Sequence, residues 1–282
     1  MPKIHPTAIV HGSAQLGQDV EIGPYCMVES DVQIGPGTVL REHVIVRRYT
    51  TLGAGNFVDT FCVLGGEPQD FKFDPQTVSY LRIGDGNVFR ENVTISRATG
   101  QGNATVVGNK TYWMGGTHAG HNVTVCDQVI FANHCGMAGY VTIGPRAVLS
   151  GHVVIHQFCW LGELAVCQGG TALGMHIPPY TMCGDGVNHV IGLNVVGLRR
   201  ATDISDADRQ QIREAFHLTY RSGLNRKQAL EAMDAHTEWG PAAGKFRDFV
   251  RKVYQAAKPY NRGLCTLGSS KQSRIRQRDE TD

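Results

Sequence analysis

Aliphatic residues return at every sixth position from the beginning of the chain. From Val10 the series runs Leu16, Ile22, Val28, Ile34, Leu40, Val46, Leu52, Val58 and Leu64. Two places before each of these the residue is mostly small or β-branched: Ala8, Ala14, Val20, Cys26, Val32, Thr38, Val44, Thr50, then Asn56 and Cys62. The register breaks over Gly65–Tyr80, resumes at Ile83, Phe89 and Ile95, and breaks again over Arg97–Asn103. It then holds from Val107 through Trp113, Ala119, Val125, Phe131, Met137, Ile143, Leu149, Ile155, Leu161 and Cys167 to Leu173.

Self-similarity at a fixed short period marks a solenoid. Each hexapeptide reads as one short strand plus a corner, and three corners close a coil of about eighteen residues. The pattern therefore predicts a β-solenoid, a left-handed parallel β-helix of hexapeptide repeats over 1–190, with inserted loops at about 65–80 and 97–103. The aliphatic position points inward. A sandwich of short strands would not hold so regular a spacing. Gly17, Gly23, Gly35 and Gly53 follow the aliphatic position and are expected to supply the positive φ of a tight corner.

The period ends near Pro178-Pro179, and a C-terminal α-helical appendage is expected over 191–264. Ser205, with Asp208 three residues on, caps a helix running through Ile212, Phe216 and Tyr220 to Gly223. Asn225 starts a second helix ending near Gly240. Pro241 opens a third, with Phe246, Phe249, Val250 and Val253 on one face. Residues 265–282, polar and charged from Ser269, are expected to be a disordered tail.

Composition narrows the function. Lys and Arg total 27 against 25 Asp and Glu, which argues against a nucleic-acid partner. No apolar run is long enough to insert in a membrane, and Met1–Pro6 has no apolar stretch resembling a secretory signal. A cytoplasmic protein is expected. Eight cysteines form no CxxC pair, and most fall in the repeat register as small reduced fillers.

A filled coil has no internal cavity, so chemistry belongs on outer faces, in the insertions or between subunits. His118, His121, His134, His152 and His156 cluster in the second repeat block. One of them could act as a general base, which contributes roughly 10²–10⁴-fold. Alternatively, three could hold zinc, as in carbonic anhydrases of this fold, but His118-x-x-His121 and His152-x-x-x-His156 do not resemble that family's pattern. His134 and His152 read as ordinary solvated histidines.

Several segments go further: Gly116-Thr-His-Ala-Gly-His121-Asn, Met137-Ala-Gly-Tyr140, Ile155-His-Gln-Phe-Cys159, Ile177-Pro-Pro-Tyr180 and Gly192-Leu-Asn-Val-Val-Gly-Leu-Arg-Arg200, with Glu67-Pro-Gln-Asp-Phe-Lys72, Tyr220-Arg-Ser-Gly223 and Arg262-Gly-Leu. Together they resemble the UDP-N-acetylglucosamine O-acyltransferases, which open lipid A biosynthesis, over Ile4 to Leu264. The resemblance implies transfer of a 3-hydroxy fatty acyl chain from acyl carrier protein to the 3-hydroxyl of UDP-N-acetylglucosamine, by a homotrimer needing no cofactor or metal. His121 would be the base and the Gly139 N–H would face the oxyanion. Asp70, Lys72, His118, Asn122, His156, Gln157, Asn194 and Arg200 would bind substrate, and Gly169 would set acyl length, leaving room for a longer chain. Lys245, Arg247, Arg251, Lys252, Lys258 and Arg262 give the third helix a basic face suited to an acidic carrier protein, though any solvated helix can show one.

Four positions depart from the family's pattern: Asn122 stands for an aspartate, Tyr140 and Ser96 for histidines, and Val196 for a carboxylate. Two other readings accommodate them: a relative with altered specificity, acylating a 3-amino sugar whose nucleophile asks less of a base, and a non-catalytic paralogue that binds carrier protein or sugar nucleotide. Retention of His118, His121, Asp70, Lys72 and Arg200 together opposes the paralogue. An acetyl-CoA-dependent relative is disfavoured by the helical end and the Glu67–Lys72 loop.

Overall fold

The computed structural model describes residues 1–184, 186–235 and 238–268. Two- to five-residue strands follow one another around three parallel sheets. Sheet A takes Lys3–Ile4, Glu21–Ile22 and every third strand as far as Val166–Cys167, and is then extended by Thr181–Cys183 and, antiparallel to it, His189–Leu193; sheet B takes the series from Ile9–Val10, and sheet C the series from Gln15–Leu16. The chain visits A, B and C in turn, winding a left-handed helix. Lys3 pairs with Glu21 and Ile9 with Met27, so a corner contact such as Tyr25 N–H to Thr7 Oγ1 joins residues 18 apart. The offset rises to 31 across the first insertion and 24 across the second. Each insertion leaves from the corner between sheets B and C; the flanking strands lengthen to three or four residues and the pairing shifts between Leu64 and Gly66, but the inward places resume their stacking on the far side.

The inward series is the core. Ile22, Val28, Ile34, Leu40, Val46, Leu52 and Leu64 are buried, as are the small residues Val20, Cys26, Val32, Thr38 and Val44. Trp113 packs between Phe89 and Phe131 with centroids 5.7 and 4.3 Å away. Buried Asn56 accepts the backbone and side-chain N–H groups of Asn87 at 2.9 Å each, satisfying polar atoms that would otherwise be costly inside.

The glycine expectation is corrected by the backbone. The left-handed residue falls three places after the aliphatic one and is seldom glycine: Asp19, Tyr25, Asp31, His43, Tyr49 and Phe61 all have φ between 55° and 64°. The glycine directly after the aliphatic residue serves close stacking instead. A Cβ on Gly35 would lie 2.5 Å from Gly53 C, and one on Gly17 2.6 Å from Pro36 N. The coils approach too closely there for any side chain.

Four helices follow: α1 (Val195–Arg200), α2 (Asp206–Tyr220), α3 (Arg226–Ala235) and α4 (Pro241–Gln255). The Ser205 capping box on α2 forms reciprocally with Asp208, and Asn225 and Gln228 exchange the matching bonds ahead of α3. Helix α1 was not anticipated, and α3 ends short of Gly240. Ala242, Ala243, Phe246, Val250 and Val253 form the buried face of α4. The helices are pinned to the coil at Glu163, which accepts from Lys245 at 2.7 Å and from Arg146, itself paired to Asp203. The end of the chain is ordered further than expected. Cys265 is buried, and Thr266–Leu267 pairs with the strand His189–Leu193. Ser269 to Asp282, the rest of the expected tail, lie outside the described residues.

Candidate active site

The B–C corner of three successive coils gathers most of the expected residues. His118 lies on the outward face of sheet B, opposite Gly136 in the next coil. Beyond that strand come Gly120, His121 and Asn122. One coil on, the same places hold Ala138, Gly139 and Tyr140, and one further on His156, Gln157 and Phe158. His121, Gly139 and Gln157 thus stack in one column at about 4.8 Å per coil. Asn122, Tyr140 and Phe158 form the adjacent left-handed column, with φ of 58°, 63° and 64°.

Gly139 has no side chain because His121 covers it: an added Cβ would sit 2.5 Å from Cε1 and 2.7 Å from Nε2. Its φ is outside the left-handed region, so the requirement is for space alone. Its N–H donates to no group among the described residues. At the same hexapeptide place on the C–A corner three amides are capped by a side chain one coil on, Ala54 by Asp85, Asp85 by Asn109 and Asn109 by Asp127. The column of His121, Gly139 and Gln157 has no such cap among the described residues, and within it the Gly139 N–H is the one that lies under the His121 ring. An uncapped donor beside an imidazole is the arrangement an oxyanion needs.

His121 is nearly buried, at 9% exposure. Its Nδ1 is 2.9 Å from Asn122 Oδ1. That amide oxygen also receives the Thr99 N–H at 2.9 Å and Thr99 Oγ1 at 2.8 Å. An oxygen accepting from all three requires the proton on Nδ1, leaving the Nε2 lone pair free. The Tyr140 ring stands edge-on to His121, centroids 5.3 Å apart, and stacks on Phe158 at 4.9 Å. His118 Nδ1 meets Thr94 Oγ1 at 2.8 Å, and burial lowers the His118 pKa from its ordinary value, favouring a neutral ring. His156 and Gln157 are exposed at the rim.

Other expected residues lie apart. Asp70 and Lys72 sit on the first insertion, which leaves the same B–C corner; Asp70 Oδ1 accepts the Lys72 N–H at 2.9 Å. No contact joins either to His121. Arg97 anchors this insertion, buried with its guanidinium donating to Thr77 O at 2.7 Å and lying over the Phe73 ring. Gly169 occupies the opposite edge of sheet B, its added Cβ 3.3 Å from Gly151 O. Asn194 is buried and caps α1, accepting the Gly197 N–H at 2.9 Å while donating to Leu164 O at 2.9 Å. Arg200 is exposed in the last turn of α1. His134 and His152 are exposed and stack on each other at the A–B corner, 5.1 Å apart. Much of the basic face of α4 is engaged internally: Lys245 with Glu163, Arg251 with Asp234 and Asp248, and Lys252 over the Trp160 ring at 3.9 Å.

The sequence reading missed three residues. Thr99 lies in an insertion with no periodicity to interpret. Arg97 looks like an ordinary loop cation. His176 is fully buried, its Nδ1 accepting the Trp160 N–H at 3.0 Å and its Nε2–H donating to Tyr260 O at 2.7 Å. The end of the period just before it, at Leu173, was the available signal that the chain turns inward there.

Comparison with known proteins decides the family. The chain is 38% identical over 249 residues to the acyl-[acyl-carrier-protein]–UDP-N-acetylglucosamine O-acyltransferase of Gloeothece citriformis (strain PCC 7424), spanning 88% of this chain and 89% of that one. It belongs to the acyl-[acyl-carrier-protein]–UDP-N-acetylglucosamine O-acyltransferase family. The enzyme of that name from Synechocystis sp. (strain ATCC 27184 / PCC 6803 / Kazusa) is 37% identical over 89% of this chain and 90% of its own. Residues 177–265 match the second domain of UDP-N-acetylglucosamine O-acyltransferase, and residues 13–48 match the bacterial transferase hexapeptide. Among solved structures, the Francisella novicida UDP-N-acetylglucosamine acyltransferase superposes with a TM-score of 0.87 at 30% identity, covering 96% of both chains. The Bacteroides fragilis enzyme gives 0.84 at 32%, covering 93% of this chain and 99% of that one. The β-helix with its helical end is the architecture of this acyltransferase family.

Proposed function

We propose that the chain transfers a 3-hydroxy fatty acyl group from the thioester of acyl carrier protein to the 3-hydroxyl of UDP-N-acetylglucosamine. The observation that carries the reading is the pairing at the B–C corner of a singly oriented imidazole, with Nε2 free, and the uncapped Gly139 N–H. His121 Nε2 takes the proton of the sugar hydroxyl as its oxygen attacks the thioester carbonyl. The Gly139 N–H receives the developing oxyanion, a contact worth roughly 3 kcal/mol where such donors have been removed. Collapse breaks the carbon–sulfur bond, and the imidazolium returns its proton to the departing thiolate.

Gln157 continues the column of His121 and Gly139, His156 stands beside it and His118 lies on the strand before it, and all three would line the acceptor pocket with Asn122. Asp70, Lys72, Asn194 and Arg200 lie off it, which fits a site completed by a second copy. The outer faces support that assembly. Val39, Phe57, Tyr112, Ile130 and Val148 run up the outside of sheet A, whereas Gln15, Gln33, Thr51, Arg82 and Thr124 run up sheet C. Sheet B is apolar in its first half, at Ile9, Met27, Ile45 and Val63. A largely apolar face on sheet A, a half-apolar one on sheet B and a mostly polar one on sheet C suit a closed cyclic homotrimer. A reducing, cytoplasmic setting accords with eight free cysteines, several of them inert thiols such as Cys62, whose pKa burial pushes up to about 12. Among the described residues no helix is long and apolar enough to cross a membrane.

The test is His121→Ala. Turnover with carrier-protein thioester and UDP-N-acetylglucosamine is expected to fall by roughly 10²–10⁴-fold. Turnover within a few-fold of wild type would remove His121 as the base.

A further inference from the structure

The hydrogen bonds around His121 reach beyond the histidine and its neighbour. We infer that Thr99 and Tyr140 are positioning residues that hold the Asn122 amide in one orientation, and that this corner is built for a neutral amide rather than a carboxylate; the inference rests on His121 as the base.

Thr99 contacts the Asn122 amide on both sides. Its N–H and hydroxyl donate to Oδ1 at 2.9 and 2.8 Å, and its carbonyl accepts from Nδ2 at 3.2 Å. A flipped amide would set its N–H groups against two donors and its oxygen against a carbonyl. The backbone of Asn122 is fixed separately, its N–H donating to Thr105 Oγ1 at 2.8 Å. The Thr99 hydroxyl has one proton and spends it on Oδ1. The Tyr140 hydroxyl, 2.9 Å from Thr99 Oγ1, must therefore be the donor in that contact. The protons run in one direction, from Tyr140 to Thr99 to Asn122, where they meet the proton from His121 Nδ1. Tyr140 is held in turn by Phe158 at 4.9 Å, and Phe158 by the edge of Tyr260 at 5.3 Å. The second insertion, which carries Thr99, thus has a task at the reacting corner.

An aspartate at 122 would keep one oxygen on these donors but turn the other toward the Thr99 carbonyl, where the amide now donates. The negative charge that would stabilise an imidazolium would be gained at the cost of the geometry that aims the ring.

The experiment compares wild type with Thr99→Val, Thr99→Ser, Tyr140→Phe and Asn122→Asp. It reads kcat, KM and the unfolding midpoint of each, with ¹⁵N resonances of the His121 ring as a record of its tautomer. Thr99→Val should lower kcat roughly 10- to 100-fold with KM and midpoint little changed and the Nδ1-protonated form depleted, and Thr99→Ser should restore both. Tyr140→Phe should shift the tautomer the same way by less, and Asn122→Asp should turn over more slowly than wild type. A wild-type kcat and tautomer in Thr99→Val, or an Asn122→Asp enzyme at least as fast as wild type, would overturn the inference. The ring resonances report on the positioning even if His121→Ala proves active, an outcome that would defeat the base assignment alone.

Discussion

A methyl group at position 139 probes the candidate site with little other disturbance. An alanine Cβ would lie 2.5 Å from His121 Cε1, 2.7 Å from Nε2 and 3.1 Å from Nδ1. Carbon contacts settle at about 3.5–4.0 Å, so the ring must retreat by about 1 Å. It has little freedom to do so: Nδ1 is tied to Asn122 Oδ1 at 2.9 Å and the Tyr140 ring stands 5.3 Å off. The backbone raises no objection, since Gly139 is not in the left-handed region. Replacing glycine where alanine fits the backbone gains about 0.4–1 kcal/mol through the unfolded chain, which offsets part of the local crowding. A misplacement of about 1 Å costs on the order of 10²-fold in rate, or about 2.7 kcal/mol. Gly139→Ala should therefore lose about 10²-fold in kcat while its urea midpoint stays near wild type, with kcat and unfolding measured on one preparation. The N–H remains in the variant, so the loss would belong to the imidazole. A kcat within twofold of wild type would refute the reasoning, as would a loss that only follows a collapsed midpoint.

Two further outcomes concern the join between coil and helices. Burial lowers the His176 pKa from 6.5 to about 4, so the folded chain keeps this ring neutral while the unfolded chain protonates it; stability is full above pH 6.5 and lost as the pH falls toward 4, by about 2 kcal/mol at pH 5. Urea titrations at pH 7.5 and 5 should show that loss in wild type and its reduction in His176→Gln, and equal pH slopes would count against it. Glu163→Gln leaves Arg146 and Lys245 without their shared carboxylate and should cost about 1–3 kcal/mol, with amide exchange in α4 accelerating before that in the coil; uniform acceleration would mean that the contact does not pin the helices.

The period-six series made the coil legible because each inward place repeats one physical demand, an aliphatic side chain stacked on its copies. Both insertions were visible as breaks in that demand. The left-handed places were not, because Tyr25, His43 and Phe61 occupy them where composition rules favour glycine, and glycine marked close coil contacts instead. Helix α1 escaped notice because it has six residues, contains Gly197 and takes its cap from Asn194, which was read as a ligand. At the candidate site, His118, His121, Gly139, His156 and Gln157 were legible through spacing and motif, and the structure gathers them on one corner. Thr99 was not, since its partners Asn122 and Tyr140 lie 23 and 41 residues away. His176 looked like one more histidine until its two backbone partners, 16 and 84 residues distant, were in place.

One transfer assay tests the proposed acyl transfer directly. Wild-type protein is incubated with carrier-protein thioesters of graded acyl length, each with UDP-N-acetylglucosamine or its 3-amino analogue, and the acylated nucleotide sugar is quantified. Ester formation at the 3-hydroxyl is expected, and a preference for the longer 3-hydroxyacyl chains would support the acyl-length role expected of Gly169. Transfer to the 3-amino sugar alone would contradict the assigned acceptor, and no transfer to either sugar by a protein that still binds the carrier would contradict the assignment as an acyltransferase.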